Sequence, residues 1–342
     1  MNTARHKHFT TRQTGLSLIE LMVAMVIGLI LIAGVIEIYV NSKQTYRDQD
    51  ALSRLQENGR YALSILTTNV RPAGFSGCGN IDSVEPNVIA TGVVPSSFAA
   101  DSAVTGSEYK TSTWDPALPV ALGANVLANT DILTVSRAGD CGATVTGNLA
   151  PTNANIQVNG NNTCGFKTDQ VLMVSDCTAA DVFRVVNNPT TGSLIQTVTH
   201  SKSSNNANVL SKLYQQDAEV LTFSSETYFI RNGTSGIPSL WVLDNTQATV
   251  GNNPLELVEG VENMQVEYAL DAGSDGVPDS YAAADVAKAN WDKVVAVRVR
   301  LLLRTIENVN APAYSFNGVN YTGGFLRQEM TATIKLRNRG LM

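Results

Sequence analysis

A single carboxylate lies near the start of a long apolar segment. Glu20 is the fifth residue after Gly15, and no charged side chain occurs from Leu21 to Ile36. A carboxylate in the hydrocarbon of a bilayer is costly unless it is paired, so Glu20 is a candidate functional residue. A cation that faced it, such as the amino terminus of a neighbouring chain, would offset that cost. In the alternative interpretation, the side chain reaches the lipid headgroups and has no partner.

The segment before the apolar run is polar and basic, and its charged side chains are Arg5, Lys7 and Arg12. It ends at Gly15, ahead of the run, whereas a secretory signal carries its small-residue cleavage site behind the run. On a helix, residues 16–40 rise about 37 Å, enough to cross a hydrocarbon core of about 30 Å. The basic leader predicts that residues 1–15 stay cytoplasmic and that the chain after Val40 is translocated.

A leader that ends in glycine, a glutamate five residues later and a long apolar helix together resemble the class III signal of type IV prepilins and pseudopilins. Leu16 occupies the position where that family usually has phenylalanine. The resemblance implies that prepilin peptidase cuts between Gly15 and Leu16 and then methylates the new amino group of Leu16. It also implies that Glu20 pairs with the amino terminus of a neighbouring subunit and sets the axial register of a filament.

All the cysteines lie in the part that is predicted to be translocated: Cys78, Cys141, Cys164 and Cys177. An even number in an oxidising compartment predicts two disulfides, and the sequence leaves all three connectivities open. A metal site is the disfavoured alternative, because no C-x-x-C pair occurs and no histidine is nearby.

An acidic turn late in the chain resembles part of a calcium loop, with the carboxylates of Asp271, Asp275 and Asp279. The first two, with Gly276, fit positions one, five and six of an EF-hand. Positions three and twelve are Gly273 and Ala282, which supply no side-chain oxygen. We therefore expect an ordinary turn between strands and no cofactor, with Ca²⁺ as the alternative.

The sequence offers little for catalysis or for nucleic-acid binding. Once the leader is removed, His200 is the sole histidine, and the polar residues 199–204 around it predict a solvated loop. No G-x-S-x-G, P-loop or metal-histidine motif occurs, so we predict that the protein is not an enzyme. Arginines alternate at positions 298 and 300, with another at 304, as on a solvated sheet face. The formal charge of −6 also argues against a general nucleic-acid surface.

The helical pattern continues beyond the apolar segment to residue 70. Apolar or small residues recur at steps of three and four positions: Leu52, Leu55, Gly59, Leu63, Leu66 and Val70. Pro72 and Gly74 supply the stop, so a helix of about 55 residues is predicted. A helix of that length is unstable alone, and the rest of the chain should cover its apolar stripe.

The remainder predicts a β-rich head. Residues 75–165 are rich in Ser, Thr, Asn and Gly; residues 132–135 form a credible strand, and loops or short hairpins are expected in the remainder. Residues 187–211 are again polar and turn-like. Further strands are predicted at 170–175, 182–186, 220–230, 240–243, 264–270, 295–303 and 330–336. The fold class is therefore α+β, with an antiparallel sheet packed on the helix.

Later stretches resemble the PilW-type minor pilins of the same superfamily: residues 60–63, 71–75, 77–78, 174–177, 258–262 and 291–299. The resemblance implies a pilin-like lollipop, in which a β-rich head caps a half-buried helix. The implied domains are a cleaved leader (1–15), a transmembrane helix (16–40), an amphipathic continuation (41–71) and a periplasmic head (72–342).

A PilW-like minor pilin helps to initiate type IV pilus assembly at or near the tip, and so supports adhesion, twitching motility and DNA uptake. The implied partners are prepilin peptidase, other minor pilins, the major pilin and a tip adhesin. The implied location is the inner membrane before assembly and the cell surface after it. Two alternatives remain, namely a J-type minor pseudopilin of type II secretion and a membrane-anchored module that binds a surface or glycan.

Overall fold

The computed structural model describes residues 15–82, 84–92, 95–123, 125–147, 153–190, 192–216, 218–247 and 252–339. The predicted leader therefore lies outside the described residues, apart from Gly15. The chain divides into two compact units, Met1–Ala51 and Leu52–Met342, and the boundary falls within its long helix.

The long helix α1 spans Leu18–Val70, and the one-turn helix α2 spans Ala284–Ala287. The part of α1 in the first unit carries the apolar segment. By length and composition it can cross a membrane, with a mean hydropathy of 2.8, and none of its apolar window is buried within the chain. Its apolar side chains are thus left for lipid or for other proteins to cover.

The part of α1 in the second unit buries one stripe of its surface. The buried positions are Leu55, Gly59, Ala62, Leu66 and Val70, which are at most 2% exposed where the side chain is apolar. Their spacing of three or four residues keeps them on one face of the helix. Ala62 lies on this stripe, whereas two residues predicted for it, Leu52 and Leu63, are only half-buried.

The end of α1 is tied to the end of the chain's last sheet. The backbone turns at Gly74, whose φ of +76° is the left-handed conformation that glycine favours. The amide of Arg337 donates to the carbonyl oxygen of Arg71 at 2.9 Å. The side-chain amide of Asn338 donates to the carbonyl oxygen of Pro72 at 3.2 Å. Residues distant in sequence therefore close the helix exit.

Within the described residues, the strands before residue 200 are β1 (Phe75–Ser76), β2 (Gly79–Asn80), β3 (Asn87–Val88), β4 (Val104–Lys110), β5 (Thr113–Asp115), β6 (Ile132–Gly147), β7 (Asn155–Asn159), β8 (Val171–Ser175), β9 (Ala180–Arg184) and β10 (Ile195–Thr199). The strands after residue 200 are β11 (Glu219–Asn232), β12 (Pro238–Asp244), β13 (Leu255–Glu259), β14 (Val261–Leu270), β15 (Ser280–Ala282), β16 (Val294–Arg304), β17 (Tyr314–Phe316), β18 (Val319–Tyr321) and β19 (Arg327–Lys335).

These strands form a large sheet and a small one. The large sheet has the order β10-β7-β6-β11-β8-β9-β3, with β4, β5, β12 and β13 attached beside it. The small sheet has the order β15-β14-β16-β19, and β1–β2 and β17–β18 are separate hairpins. The described strand pairs are antiparallel except for β3 with β9, which run parallel. The α+β prediction is therefore confirmed, although two sheets rather than one surround the helix stripe.

The core against α1 takes residues from both sheets. Tyr228 on β11 and Tyr268 on β14 are fully buried in the same cluster as Leu66 and Val70. Apolar burial of this kind is the main favourable term in folding. The cluster therefore supplies the cover that the sequence analysis expected for the helix stripe.

For residues 75–165 the sequence analysis expected a strand at 132–135 and loops or short hairpins elsewhere; the hairpins β1–β2 and β4–β5 are present, but the strand is much longer than expected. β6 runs for sixteen residues, and β4 pairs with it. Small polar side chains of β6 lie opposite small polar side chains of β11. The sequence of β6 therefore lacks the apolar alternation by which a strand is usually predicted. Ser136 Oγ donates to Ser225 Oγ at 2.9 Å, and the hydroxyls of Thr134 and Thr227 are 2.8 Å apart. Cross-strand pairing thus stabilises a sequence of modest strand propensity.

Candidate assembly site

The first turn of α1 is closed by a reciprocal pair of hydrogen bonds. The amide of Glu20 donates to Ser17 Oγ at 3.2 Å, and the amide of Ser17 donates to Glu20 Oε2 at 2.9 Å. This arrangement is a capping box, which satisfies two amides that a helix start leaves without partners. Glu20 is thereby oriented toward the amino end of its own helix.

Gly15 and Leu16 lie just outside that cap, in non-helical backbone. The side chain of Leu16 is 80% exposed. An exposed bond in irregular backbone is accessible to a protease without unwinding a helix. Cleavage between these residues and methylation of Leu16 remain predictions.

The sequence analysis missed the role of Ser17. The pattern S-x-x-E ahead of an apolar run is a readable signal for a capping box, but Glu20 was assigned only to a neighbouring chain. The two roles are compatible, because a carboxylate offers about four acceptor sites. Ser17 occupies only part of this capacity, so the carboxylate can accept a further donor.

The stripe on α1 contains one position where the helix approaches the small sheet closely. A Cβ atom on Gly59 would lie 2.4 Å from Met330 Sδ and 3.0 Å from two methyl carbons of Leu303. Both distances are well below the separation of about 3.5–4.0 Å at which non-bonded carbon atoms pack best. Glycine at this position therefore lets α1 pack directly on β16 and β19.

The four cysteines form two disulfides, Cys78–Cys177 and Cys141–Cys164. This resolves the connectivity that the sequence left open. The first joins residues 99 positions apart and links the β1–β2 hairpin to the end of β8. The second joins residues 23 positions apart. Both reduce the freedom of the unfolded chain, and the longer loop does so more strongly.

The acidic turn after β14 is organised by its own carboxylates. Asp271 accepts the amides of Asp275 and Gly276 at 3.2 and 2.7 Å. Asp279 Oδ2 accepts the amides of Ala272 and Gly273 at 2.8 and 3.1 Å. Within the described residues, no three acidic, histidine or cysteine groups are arranged to hold a metal ion.

His200 does not lie in a solvated loop, and this part of the sequence analysis was wrong. The ring is fully buried and rests against Phe183, with the ring centroids 5.1 Å apart. Burial lowers the pKa of the imidazole. The amide of His200 donates to the carbonyl oxygen of Ala154 at 2.7 Å. The polar residues beside His200 in the sequence gave no sign of this distant contact or of the burial.

The arginines of β16 are paired across the outer face of the small sheet. Arg298 forms an ion pair with Glu267 at 3.2 Å, and Arg300 forms one with Glu329 at 2.8 Å. Arg304 stacks over the ring of Phe325 at 4.1 Å. These contacts fit the expected sheet face and leave little free positive charge for phosphates.

A pair of carboxyls that the sequence did not reveal lies where the two sheets meet. Asp131 Oδ2 accepts the amide of Val266 on β14 at 2.9 Å, and Oδ1 faces the amide of Tyr109 on β4 at 3.4 Å. The carboxyl of Asp131 also hydrogen-bonds to that of Glu108. Burial, reinforced by Glu108, raises the pKa of Asp131 to about 8. Burial also raises the pKa of Glu108, so the pair retains a proton at neutral pH.

Comparison with known proteins gives two family matches. Residues 227–338 match the family described as Type IV Pilus-assembly protein W, and residues 10–36 match the prokaryotic N-terminal methylation motif. No curated protein matches the chain. A type IV-like pilin from Thermus thermophilus aligns over 83% of this chain and 96% of its own, at 12% identity and a TM-score of 0.33.

The methylation motif over the start of α1, followed by a β-rich head, makes the chain similar to a type IV pilin. Such a protein carries a membrane anchor and interacts with prepilin processing and with other pilus components. The other match adds a similarity to the PilW family, which covers the head from the middle of β11 to beyond β19. The resemblance drawn from the sequence is thereby confirmed.

Proposed function

We propose that this chain is a minor pilin that helps to initiate type IV pilus assembly at or near the tip. Prepilin peptidase cuts it between Gly15 and Leu16, and Leu16 is then methylated. The observation that carries the proposal is the exposed, non-helical bond directly ahead of a capped helix with a fully unburied apolar window. Before assembly the helix spans the inner membrane once, with the head in the periplasm.

In this proposal Glu20 has a second partner in the assembled filament. The capping box holds its carboxylate beside the amino end of α1, and the carboxylate has acceptor capacity left for a cation. The amino terminus of a neighbouring subunit is a suitable cation, because a buried carboxylate is destabilising until it is paired. Docking of the next subunit relieves that cost, so the pairing favours assembly in one axial register.

The partners that follow are other minor pilins, the major pilin and a tip adhesin, and the processes supported are adhesion, twitching motility and DNA uptake. We propose that the role is structural rather than catalytic. Residues 271–279 act as a turn without a resident cofactor. Calorimetry of the full chain with Ca²⁺ tests the absence of a cofactor. A heat of binding that disappears in an Asp271→Asn variant would contradict it.

The test of the proposal is Glu20→Ala, with Ser17→Ala as the matched control. Glu20→Ala should leave processing intact, as read from the mass of the mature amino terminus, and should reduce incorporation into sheared pili at least about tenfold. Ser17→Ala loses the cap, worth about 1 kcal/mol, but keeps the charge, so its incorporation should fall less. Full incorporation of Glu20→Ala, or a mature protein that retains residues 1–15, would refute the proposal.

A pseudopilin of type II secretion is distinguished by deleting the gene. Loss of surface pili with normal protein export supports the pilus assignment. Normal piliation with failed export supports the secretion assignment instead. The match to the PilW family favours the first outcome.

One observation supports a second candidate function, the recognition of a neutral surface ligand. A cleft of about 440 Å³ opens on the large sheet, and among the residues that the structure describes no charged side chain lines it. Its floor carries hydroxyl and amide groups of Thr134, Ser225, Thr227 and Asn245. The volume lies within the usual range of about 300–1,000 Å³ for small-ligand sites. Binding of the full chain to neutral oligosaccharides, lost in Asn245→Leu, is the expected result if this function is present.

A further inference from the structure

The outer edge of the small sheet is long and regular. β19 pairs with β16 through nine consecutive residue pairs, without a register shift. It contains no proline, and no charged side chain lies between Met330 and Ile334. The opposite edge strand, β15, is only three residues long. Edge strands in proteins are usually short, bulged or interrupted by charge, because unpaired peptide groups recruit other strands. β19 has none of these protections in its centre.

The hydrogen bonds at its two ends show which residues of β19 direct their peptide groups outward. The amide of Thr305 donates to Leu326, and the amide of Leu336 donates to Val295, both at 2.9 Å. In an antiparallel pair, hydrogen-bonded residues alternate with residues whose peptide groups point away. Even-numbered residues of β19 therefore bond to β16, and odd-numbered residues point to the free edge.

The odd-numbered residues of β19 are Arg327, Glu329, Thr331, Thr333 and Lys335. Their outward amides and carbonyls make no hydrogen bond within the described residues. The side chains of Thr331, Thr333 and Lys335 are also exposed. One residue beyond the strand, the outward amide of Arg337 is already used by Arg71 at the helix exit. The free edge therefore begins where that contact ends.

We propose that the outer edge of β19 accepts an extended strand from a neighbouring pilus subunit, so that the small sheet continues from one protein into the next. A peptide strand is the occupant whose alternating donors and acceptors match those of the odd-numbered residues. β19 also lies inside the region that matches the PilW family. The inference rests on the proposed function, because the partner strand belongs to another subunit of the pilus.

The experiment removes outward amides and leaves the inward ladder intact. Thr331→Pro deletes one outward donor at an edge position that tolerates proline. Thr331→Val is the matched control, because it keeps the amide and nearly the same size. Ala332→Pro removes an inward amide and should prevent folding of the small sheet, which verifies the assignment of odd and even residues. The full-length chain is expressed in cells that assemble pili, with a photo-cross-linking residue at Thr333.

Thr331→Pro should fold, form both disulfides and be processed like the wild type. Its cross-link to another pilus subunit and its incorporation into sheared pili should each fall about tenfold, whereas Thr331→Val should retain both. An unchanged cross-link in Thr331→Pro, or a cross-link only to a second copy of this chain, overturns the inference. If the wild-type chain is itself absent from sheared pili, the proposed function fails. If it is present and the proline has no effect, only the edge inference fails.

Discussion

The two parts of α1 differ in what covers them. Residues 18–51 bury no side chain within the chain, whereas residues 52–70 bury four side chains and the backbone of Gly59. The first part depends on its cap at Ser17 and on whatever surrounds it, and the second part depends on the protein's own sheets. One continuous helix can thus carry a stretch stabilised by its environment and a stretch stabilised by tertiary packing. Matched substitutions in the two parts test this difference.

The largest expected effect comes from truncating a buried leucine. Leu66→Ala removes a side chain with no exposed surface, so unfolding of the head should become easier by about 2–5 kcal/mol. Leu31→Ala removes a side chain that is 64% exposed and should leave head stability unchanged. Denaturant unfolding of the full chain in detergent, followed by tryptophan fluorescence, measures both. Equal losses would show that the two parts are not packed differently.

A smaller effect is expected from filling glycines. Gly59→Leu pushes a side chain into Met330 and Leu303, and overpacking of this kind costs about 1–3 kcal/mol. Gly28→Leu has no atom within 4 Å of its new Cβ and should not lower head stability. The melting temperature of each variant in detergent gives the comparison. A wild-type melting temperature for Gly59→Leu would contradict the close approach of α1 to β19.

The smallest expected effect is a change in how the stability of the head depends on pH. The folded pKa of Asp131 is raised to about 8, above the unfolded value of about 3.9. Protonated Asp131 therefore makes its full contribution to the free energy of unfolding below about pH 4, and this contribution is lost as pH rises to about 8. Glu108, the backbone amides of Tyr109 and Val266, and more distantly Glu267, Asp285 and Lys110 are the groups around it.

Asp131→Asn removes the charge and keeps an acceptor for the amide of Val266 and a donor for Glu108, although its NH2 group replaces the oxygen that faces the amide of Tyr109. It should flatten the decline in stability between pH 5 and 8. Asp115→Asn, at an exposed ion pair with Lys288, is the control and should keep the wild-type slope. Melting temperatures from pH 5 to 8 provide the measurement. A steeper slope in Asp131→Asn would contradict the shared proton.

The sequence was informative where one kind of periodicity dominated. The apolar run, the stripe ending at Val70 and the alternation of β14, β16 and β19 each follow from spacing alone. It was uninformative where long-range pairing decides the outcome. β6 pairs with β11 through matched hydroxyls, and His200 is buried against Phe183 on β9. The carboxyl pair of Glu108 and Asp131 also depends on three strands that no local pattern brings together.

The closure of the helix exit has a consequence for the order of events during biogenesis. The contact between Asn338 and Pro72 joins residues 266 positions apart. The apolar segment of α1 is synthesised long before Asn338. The contact at the helix exit can therefore form only after nearly the whole head has been made. Contacts of such separation form slowly. During that interval residues 52–70 lack the cover that the last strands of the small sheet provide.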